Sequence, residues 1–292
     1  MLWNTVKLEC RKAICNKYFL LVVLIGCAIT FFSLIPNLQS YYKDINDIKN
    51  FEKEFSVIYN SMAPIETVFN HWIGGEAYTP GSADFFFLFP LLVSIPYGWS
   101  YCAEKRSGYI KNAVIRSGRG QYYFSKYTAL FLSGGLAMVI PLLFNFLLVC
   151  MFIPAVTPDP SYLTSYGIIS SSFLSMLFYS NPFLYVAIYL IVDFIFCGLI
   201  ACMCFAFTEF IKSRVIVVLL PFFTLLGFNY ICFSFIYISS NVIYTELSPM
   251  SFLRPAPAAY GTNWIVIVIE GAILFLFTFL ITVVRGRRNE IY

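Results

Sequence analysis

The chain has 292 residues, of which 60% are hydrophobic and only 12% are charged, and its formal net charge is +4. Soluble domains carry about 25% charged residues, so this composition excludes an ordinary soluble protein and predicts an all-α polytopic membrane protein. The nine cysteines avoid the polar segments that are placed outside below, which argues against a disulfide framework.

The first 17 residues predict an amphipathic helix that lies on the membrane surface ahead of the first span. Apolar side chains recur there at helical spacing, and basic side chains fall mostly on the other side. The apolar positions are Trp3, Val6, Cys10 and Ile14, and the basic positions are Lys7, Arg11, Lys12 and Lys17. A plain cytoplasmic tail is the alternative. Span 1 follows at about 18–36, and we expect it to stay uncleaved because no small-residue cleavage site comes after it.

Five further apolar segments are long enough to cross a bilayer core of roughly 30 Å. They lie at about residues 85–101, 127–153, 183–207, 215–238 and 264–284. Residues 38–83 are polar and mixed in charge, which predicts an external loop that includes an amphipathic helix. No low-complexity linker divides the chain, so we expect residues 1–292 to form a single membrane domain.

The serine-rich segment 155–182 leaves two alternatives, a seventh span or an external interfacial or re-entrant helix. The positive-inside rule favours six spans with both termini in the cytoplasm, because this topology leaves few of the 19 basic residues outside. The basic residues left outside are Lys43, Lys49, Lys53 and Arg254.

A long polar segment on the cytoplasmic side of this topology lies between spans 2 and 3, at residues 104–126. Gly108 and a break at 117–120 bracket a short predicted helix over 109–116. One face of that helix is apolar and carries Ile110, Ala113 and Val114. Topology and contact with lipid headgroups explain the basic charge. They do not explain the glycine brackets or the apolar face, which suit docking into a groove on a soluble partner.

Motifs of soluble enzymes are missing from the sequence. It contains no P-loop, no G-x-S-x-G and no H-E-x-x-H, so we expect no catalytic residue, metal site or bound cofactor in this chain. The only histidine is His71, and Cys202 and Cys204 in an apolar segment are typical of packing rather than of metal binding.

Two acidic residues fall inside predicted spans, Asp193 in span 4 and Glu270 in span 6. A charge inside the membrane costs several kcal/mol and marks a candidate functional site. One interpretation is a proton or cation path. The interpretation we favour is an interhelical hydrogen-bonding pair, with Asn145, Asn229 or a tyrosine as further partners.

Residues 96–126 follow a recognisable order of a Pro-Tyr-Gly turn, an acid four residues before a glycine, a short helix, an arginine and a closing lysine. These positions are Pro96, Tyr97, Gly98, Glu104, Gly108, Arg119 and Lys126. In this order, and in the layout of its six spans, the chain resembles ABC-2-type ABC transporter permeases, the transmembrane subunits of bacterial ABC exporters. Members of that family commonly have a proline just before the arginine, where this chain has Gly118.

The resemblance implies a transport subunit that hydrolyses nothing itself. Two permease copies, identical or related, would pair within the membrane lipid, and each would dock a separate ATPase subunit that binds Mg-ATP. Nucleic acid is not an expected partner. The helix after Gly108 would couple the two subunits, the turn at 209–214 would be a second contact, and 241–257 would be an external re-entrant segment between spans 5 and 6. The implied coupling residues are Glu104, Gly108, Tyr109, Ile110, Ala113, Val114, Arg116, Arg119, Lys126, Glu209 and Lys212.

The function expected from these features is export of a hydrophobic or amphipathic substrate, such as a peptide or an antimicrobial compound, across the bacterial cell membrane. Large external loops and aromatic-rich spans favour such a substrate. The alternative is an ATP-independent channel or ion-coupled transporter in which Asp193 and Glu270 carry the ion.

Overall fold

The structure, a computed structural model, describes residues 2–55, 67–76, 78–160, 168–236, 245–255 and 261–285. Every regular element within those ranges is helical. Five of the described helices are long and apolar enough to cross a membrane, and one further apolar helix is shorter. The predicted class, an all-α polytopic membrane protein, is therefore confirmed.

The helices are α1 (Leu2–Ile14), α2 (Lys17–Phe55), α3 (Val68–His71), α4 (Pro80–Ser94), α5 (Ser100–Arg106), α6 (Tyr109–Ser117), α7 (Arg119–Cys150), α8 (Ser175–Ser180), α9 (Pro182–Phe207), α10 (Arg214–Ile231), α11 (Pro249–Phe252) and α12 (Trp264–Phe279). Helices α10 and α12 continue as π-helical turns, Cys232–Ile236 and Leu280–Arg285, and a 3₁₀ turn, Thr245–Leu247, precedes α11. We call the end of the bundle formed by α1, α5 and α6 the basic end.

The local sequence determines where α9 and α12 start. The side chain of Asn181 accepts a hydrogen bond from the backbone N–H of Leu184 (3.3 Å), and Pro182 fills the first turn, where no N–H donor is needed. Asn263 caps α12 in the same way. These signals explain why the spans predicted at 183–207 and 264–284 begin within one residue of the observed helices.

The centre of the bundle is the contact between α7 and α9, where the two backbones approach closely. A Cβ atom on Gly134 would lie 2.4 Å from the Cβ of Ala201, and one on Gly198 would lie 2.7 Å from the ring of Phe131. Small residues at such a crossing let helices pack directly against each other, with no lipid between them. Helices α1, α2 and α4 also pack on α7, so a displacement of α7 reaches most of the bundle.

Helix α2 is longer than the span predicted at 18–36. It continues past Pro36 to Phe55, so the amphipathic helix expected in the loop at 38–83 is its direct extension. Residues 56–66 lie outside the described part of the chain.

A second part of that predicted loop, residues 67–76, lies inside the bundle. Phe69 and Trp72 are fully buried there. The side chain of Asn145 accepts a hydrogen bond from the backbone N–H of Ile73 (2.9 Å), which satisfies a main-chain donor removed from water. We expected a polar external loop because an average over a long segment hides a short apolar run.

The span predicted at 85–101 is displaced toward the N-terminus, where α4 ends at Ser94. Pro96 lacks an N–H donor, so the backbone hydrogen bond that would continue the helix is missing and the helix stops there. In the turn that follows, a Cβ on Gly98 would lie 2.8 Å from the Sγ of Cys204. The turn therefore packs closely against α9.

The two segments with uncertain topology form short elements in their described parts. Within 155–182, where 161–167 are not described, the longest helix is α8 with 6 residues. Within 241–257, of which 245–255 are described, the 3₁₀ turn and α11 bury Phe252 and Leu253 in the main core.

Candidate functional site

The short helix predicted between spans 2 and 3 is confirmed as α6. It begins after Gly108 and ends at Gly118, whose φ angles are 73° and 79°. Both glycines use backbone conformations that a side chain disfavours. Proline, the residue common in the resembling family, is restricted to a φ near −65° and cannot adopt the backbone of Gly118. The end of α6 in this chain therefore depends on glycine at position 118.

The apolar face of α6 packs on the protein itself. Ile110 is only 4% exposed, and Ala113 and Val114 pack in the same cluster, which also contains Ala13 of α1 and Tyr123 of α7. The expectation that this face is free to enter a groove on a partner therefore differs from the structure. Burial of that apolar face stabilises the packing of α6 against the bundle, so the face is not available to a partner.

The opposite side of α6 is exposed and carries both charge and one large apolar side chain. We call this surface the outer face of α6, and it consists of Lys111, Asn112, Ile115, Arg116 and Arg119 at the start of α7. Ile115 is 82% exposed and is the large apolar side chain of this face. Tyr109, at the start of the helix, is also exposed, and the Lys12 ammonium lies 5.1 Å from its ring centroid.

Behind α6 lies a group of charged and phenolic side chains that we call the Lys126 cluster. It consists of Glu9, Tyr97, Glu104, Tyr122 and Lys126. Lys126 is completely buried, and its Nζ lies 2.7 Å from Glu104 Oε1 and 3.1 Å from Glu9 Oε2. It also donates to the Tyr97 hydroxyl (3.0 Å) and sits 4.4 Å from the centroid of that ring. A buried ammonium is tolerated because charged and polar acceptors surround it.

Three separate parts of the chain meet in the Lys126 cluster. Glu9 comes from α1, Glu104 from α5 and Lys126 from α7. The Tyr97 hydroxyl donates to Glu9 (2.7 Å), and Tyr122 donates to Glu104. Sequence analysis selected Glu104 and Lys126, and the structure brings them into direct contact.

The ionised form of Glu9 is favoured by its surroundings. Burial alone would raise the pKa of this carboxyl, but Lys126 and the hydrogen bonds from Lys12 and Tyr97 outweigh burial and keep the pKa below its usual value. The Lys12 ammonium lies 2.7 Å from Glu9, so two carboxylates face two ammonium groups across the cluster.

Sequence analysis missed Glu9, although a signal was present. Glu9 is the only acid in the first 17 residues. It also follows Val6 by three positions and precedes Ala13 by four, so it belongs to the buried side of an amphipathic helix. A lone acid in that register indicates a cationic partner across the interface.

The turn between α9 and α10 joins the same end of the bundle through Glu209. The side chain of Glu209 is 1% exposed and lies 3.8 Å from Lys105 Nζ. It accepts a hydrogen bond from the hydroxyl of Tyr101 (3.1 Å), which also pairs with Tyr123 (3.1 Å). Lys212 points to solvent, and its carbonyl accepts from the thiol of Cys102. The two predicted contact regions are therefore adjacent in space.

Asp193 and Glu270 do not form the interhelical pair that we favoured. Asp193 is completely buried, and neither carboxylate oxygen has a hydrogen-bond partner among the described residues. Glu270 is half-buried on α12. The suggested partners are engaged elsewhere, because Asn145 bonds to Ile73 and Thr30 and Asn229 accepts from Ser251.

The described residues offer no site that looks built for a metal ion. Within those ranges, no three His, Cys, Asp or Glu side chains lie close enough together to hold one. The contacts that the structure shows at the basic end are ion pairs and hydrogen bonds.

No protein family model, curated protein or solved structure matches this chain. What the chain does must therefore be inferred from its own residues and their geometry.

Proposed function

We propose that this chain is the permease subunit of an ATP-driven exporter of the ABC-2 type, which works with a separate ATPase subunit that binds Mg-ATP. The observation that carries the proposal is the position of α6 beside the helices that the Lys126 cluster joins. The exposed side of α6 can be reached by a soluble partner, its buried side packs through Ile110 on α1 and α7, and buried ion pairs join α1 and α5 to the foot of α7.

The topology we propose has six spans, formed by α2, α4, α7, α9, α10 and α12, with both termini in the cytoplasm of a bacterial cell. The basic end then faces the cytoplasm, as the positive-inside rule requires. Helix α1 lies on the membrane surface, and residues 245–255 belong to an external re-entrant segment. The short α4 fits this scheme because other helices surround it.

Buried ion pairs suit the transmission of force from α6 into the membrane. Removing one partner from such a pair costs about 3–5 kcal/mol, because it leaves an uncompensated buried charge. Helix α6 itself packs on α1 and α7 through Ile110, so a push on α6 that breaks neither the apolar contacts nor the ion pairs must move α1, α5 and the foot of α7 together. Because α7 packs on α9 through glycines, that motion reaches the centre of the bundle.

A second copy of the chain or a related permease would complete the transporter, and the substrate would pass between the two copies. The substrate class we propose is hydrophobic or amphipathic, such as a peptide or an antimicrobial compound. The described helices support this class because they expose many large apolar side chains. This chain needs no catalytic residue, since the partner hydrolyses ATP.

The proposal is tested by co-purification with an ATPase encoded beside this chain. Ile115→Asp and Arg116→Glu change the outer face of α6, and both should abolish ATPase binding and substrate-stimulated hydrolysis. Lys49→Glu is the matched control, because it makes the same change of charge on an exposed position of α2. The proposal fails if the two α6 variants still bind and stimulate the ATPase as the unmodified chain does.

A second candidate function, an ATP-independent channel or ion-coupled transporter, draws on one observation. Asp193 is completely buried at mid-length of α9 without a hydrogen-bond partner among the described residues. This alternative predicts ion flux through the purified chain in liposomes without ATP, and loss of that flux in Asp193→Asn. Liposomes that carry no such flux would exclude it.

A further inference from the structure

We propose that the groove between α7, α9 and α12 is a binding site for an acyl chain of an anionic phospholipid, with its headgroup at the basic end. The groove has a volume of about 950 Å³. Phe131, Phe196 and Phe275 line its middle, and Trp3 and Trp264 stand at its two ends. This site is separate from the Lys126 cluster and does not depend on an ATPase partner.

The interior of the groove offers a ligand almost no polar group. Tyr127 and Thr128 are its lining residues with hydroxyl groups, and both hydroxyls are already engaged. The Tyr127 hydroxyl pairs with Thr278 Oγ1 (2.9 Å), and the Thr128 hydroxyl donates to the Ser125 carbonyl (2.9 Å). A ligand held there gains from burial of apolar surface, which indicates a hydrocarbon chain.

Small residues on α12 give the groove its depth. A Cβ on Gly271 would lie 3.2 Å from the ring of Phe196, which is tighter than ordinary contact, and Ala272 lines the groove beside it. From Trp264 to Phe279, α12 rises by roughly 22 Å at 1.5 Å per residue. That length suits an extended acyl chain lying along the helix.

Charge at the basic end favours an anionic headgroup. Trp3 is 75% exposed at that mouth, in the position of an aromatic residue at the headgroup level. Lys7 follows it by one helical turn and is exposed, as is Arg11 a turn further. Basic side chains near an anionic membrane surface attract its headgroups.

The test counts retained lipids by native mass spectrometry. The purified full chain is equilibrated in detergent with equal amounts of phosphatidylglycerol and phosphatidylcholine. The unmodified chain should retain phosphatidylglycerol preferentially. Gly271→Leu should lower that retention about tenfold, the effect of losing roughly two buried methylenes. Ala272→Phe, at an exposed position, serves if Gly271→Leu does not fold.

The matched control is Gly227→Leu, which adds the same side chain on the apolar helix α10, where a Cβ on the glycine would have no atom within 4 Å. It should retain lipid as the unmodified chain does. Lys7→Gln should reduce the preference for phosphatidylglycerol over phosphatidylcholine. Equal retention of both lipids by the unmodified chain would overturn the proposal. So would a change from dimer to monomer in Gly271→Leu at unchanged lipid count, which would make the groove an interface between copies.

Discussion

Lys126 shows how one residue can join distant parts of this chain. Its ammonium group has no exposed surface and contacts Glu104 and Glu9, the latter 117 positions away in sequence. In the interior a charge without a partner is far more costly than in water, so the cluster must stay complete to be stable. Its members therefore act as one unit.

Replacement of Lys126 by methionine should destabilise the protein by about 3–5 kcal/mol, because Glu9 and Glu104 would be left buried without their shared cation. Thermal unfolding in detergent measures this loss. Lys49→Met is the control, since Lys49 is at an exposed position of α2 and its replacement should cost at most about 0.5 kcal/mol.

The triple variant Lys126→Met, Glu9→Gln, Glu104→Gln should recover much of that loss, because it leaves no buried charge behind. If Lys126→Met and Lys49→Met destabilise the protein equally, the cluster does not hold these elements together.

The attachment of α1 should depend on pH through Glu9. Its pKa lies below the usual 4.5, so its ionised form contributes stability that is present above pH 4.5 and is lost as the pH falls through the lowered pKa. Glu9→Gln should therefore be less stable than the unmodified chain at pH 7, with a difference that shrinks in acid. A difference that stays constant from pH 7 to acid would contradict this assignment.

At the scale of elements, α6 owes its bounds to its glycines and its orientation to tertiary packing. Gly108 and Gly118 set where the helix starts and ends, whatever surrounds it. Which face turns inward is decided by α1 and α7, against which Ile110 is buried. The side of α6 that does not pack on α1 and α7 is therefore the exposed one.

Gly118→Ala should cost about 1–3 kcal/mol, since its φ of 79° and ψ of 148° lie in a region that is nearly exclusive to glycine. Nothing lies within 4 Å of the added Cβ, so backbone strain is the whole cost. Gly227→Ala is the control, because that glycine lies in a helix with equally open space, and it should not destabilise the protein. Unfolding measurements on both variants distinguish strain from the mere addition of a methyl group.

At the scale of the whole molecule, α9 connects two buried segments between the long helices, residues 67–76 and 245–255, at the end opposite α6. The Tyr185 hydroxyl donates to the carbonyl of Gly74 (2.7 Å), and the Tyr189 hydroxyl, one turn along, donates to the carbonyl of Leu253 (2.5 Å). The two tyrosine rings stack with centroids 5.7 Å apart. One helix face thereby holds both segments in place.

Loss of either hydroxyl should loosen one segment and spare the other. Tyr185→Phe should raise hydrogen exchange in residues 67–76, and Tyr189→Phe should raise it in residues 245–255. Each leaves a buried carbonyl without its donor, at a cost of about 1–3 kcal/mol. If hydrogen exchange rises equally in both segments for both variants, the substitutions destabilise the whole protein, and the two hydrogen bonds do not act separately.

The sequence by itself determined the class of the protein, the positions of the long apolar helices and the bounds of α6. These features depend on local quantities, namely the length of an apolar run, a capping residue before it and a glycine or proline that ends it. For this reason α9 and α12 begin where the sequence predicted. Glu104 and Lys126 became residues of interest in another way, because the resemblance of residues 96–126 to a transporter family implied a coupling role for them.

The tertiary structure alone decided which residues meet. Contacts between segments far apart in the chain determine three features. These are the pairing of Glu9 with Lys126, the burial of residues 67–76 and the inward orientation of Ile110. A hydropathy average cannot register such contacts, because it sums apolar character along the sequence and carries no information on which surfaces face each other. The free energy of burying a charge or a main-chain group is set by the partner that packing supplies, and that partner exists only in the folded molecule.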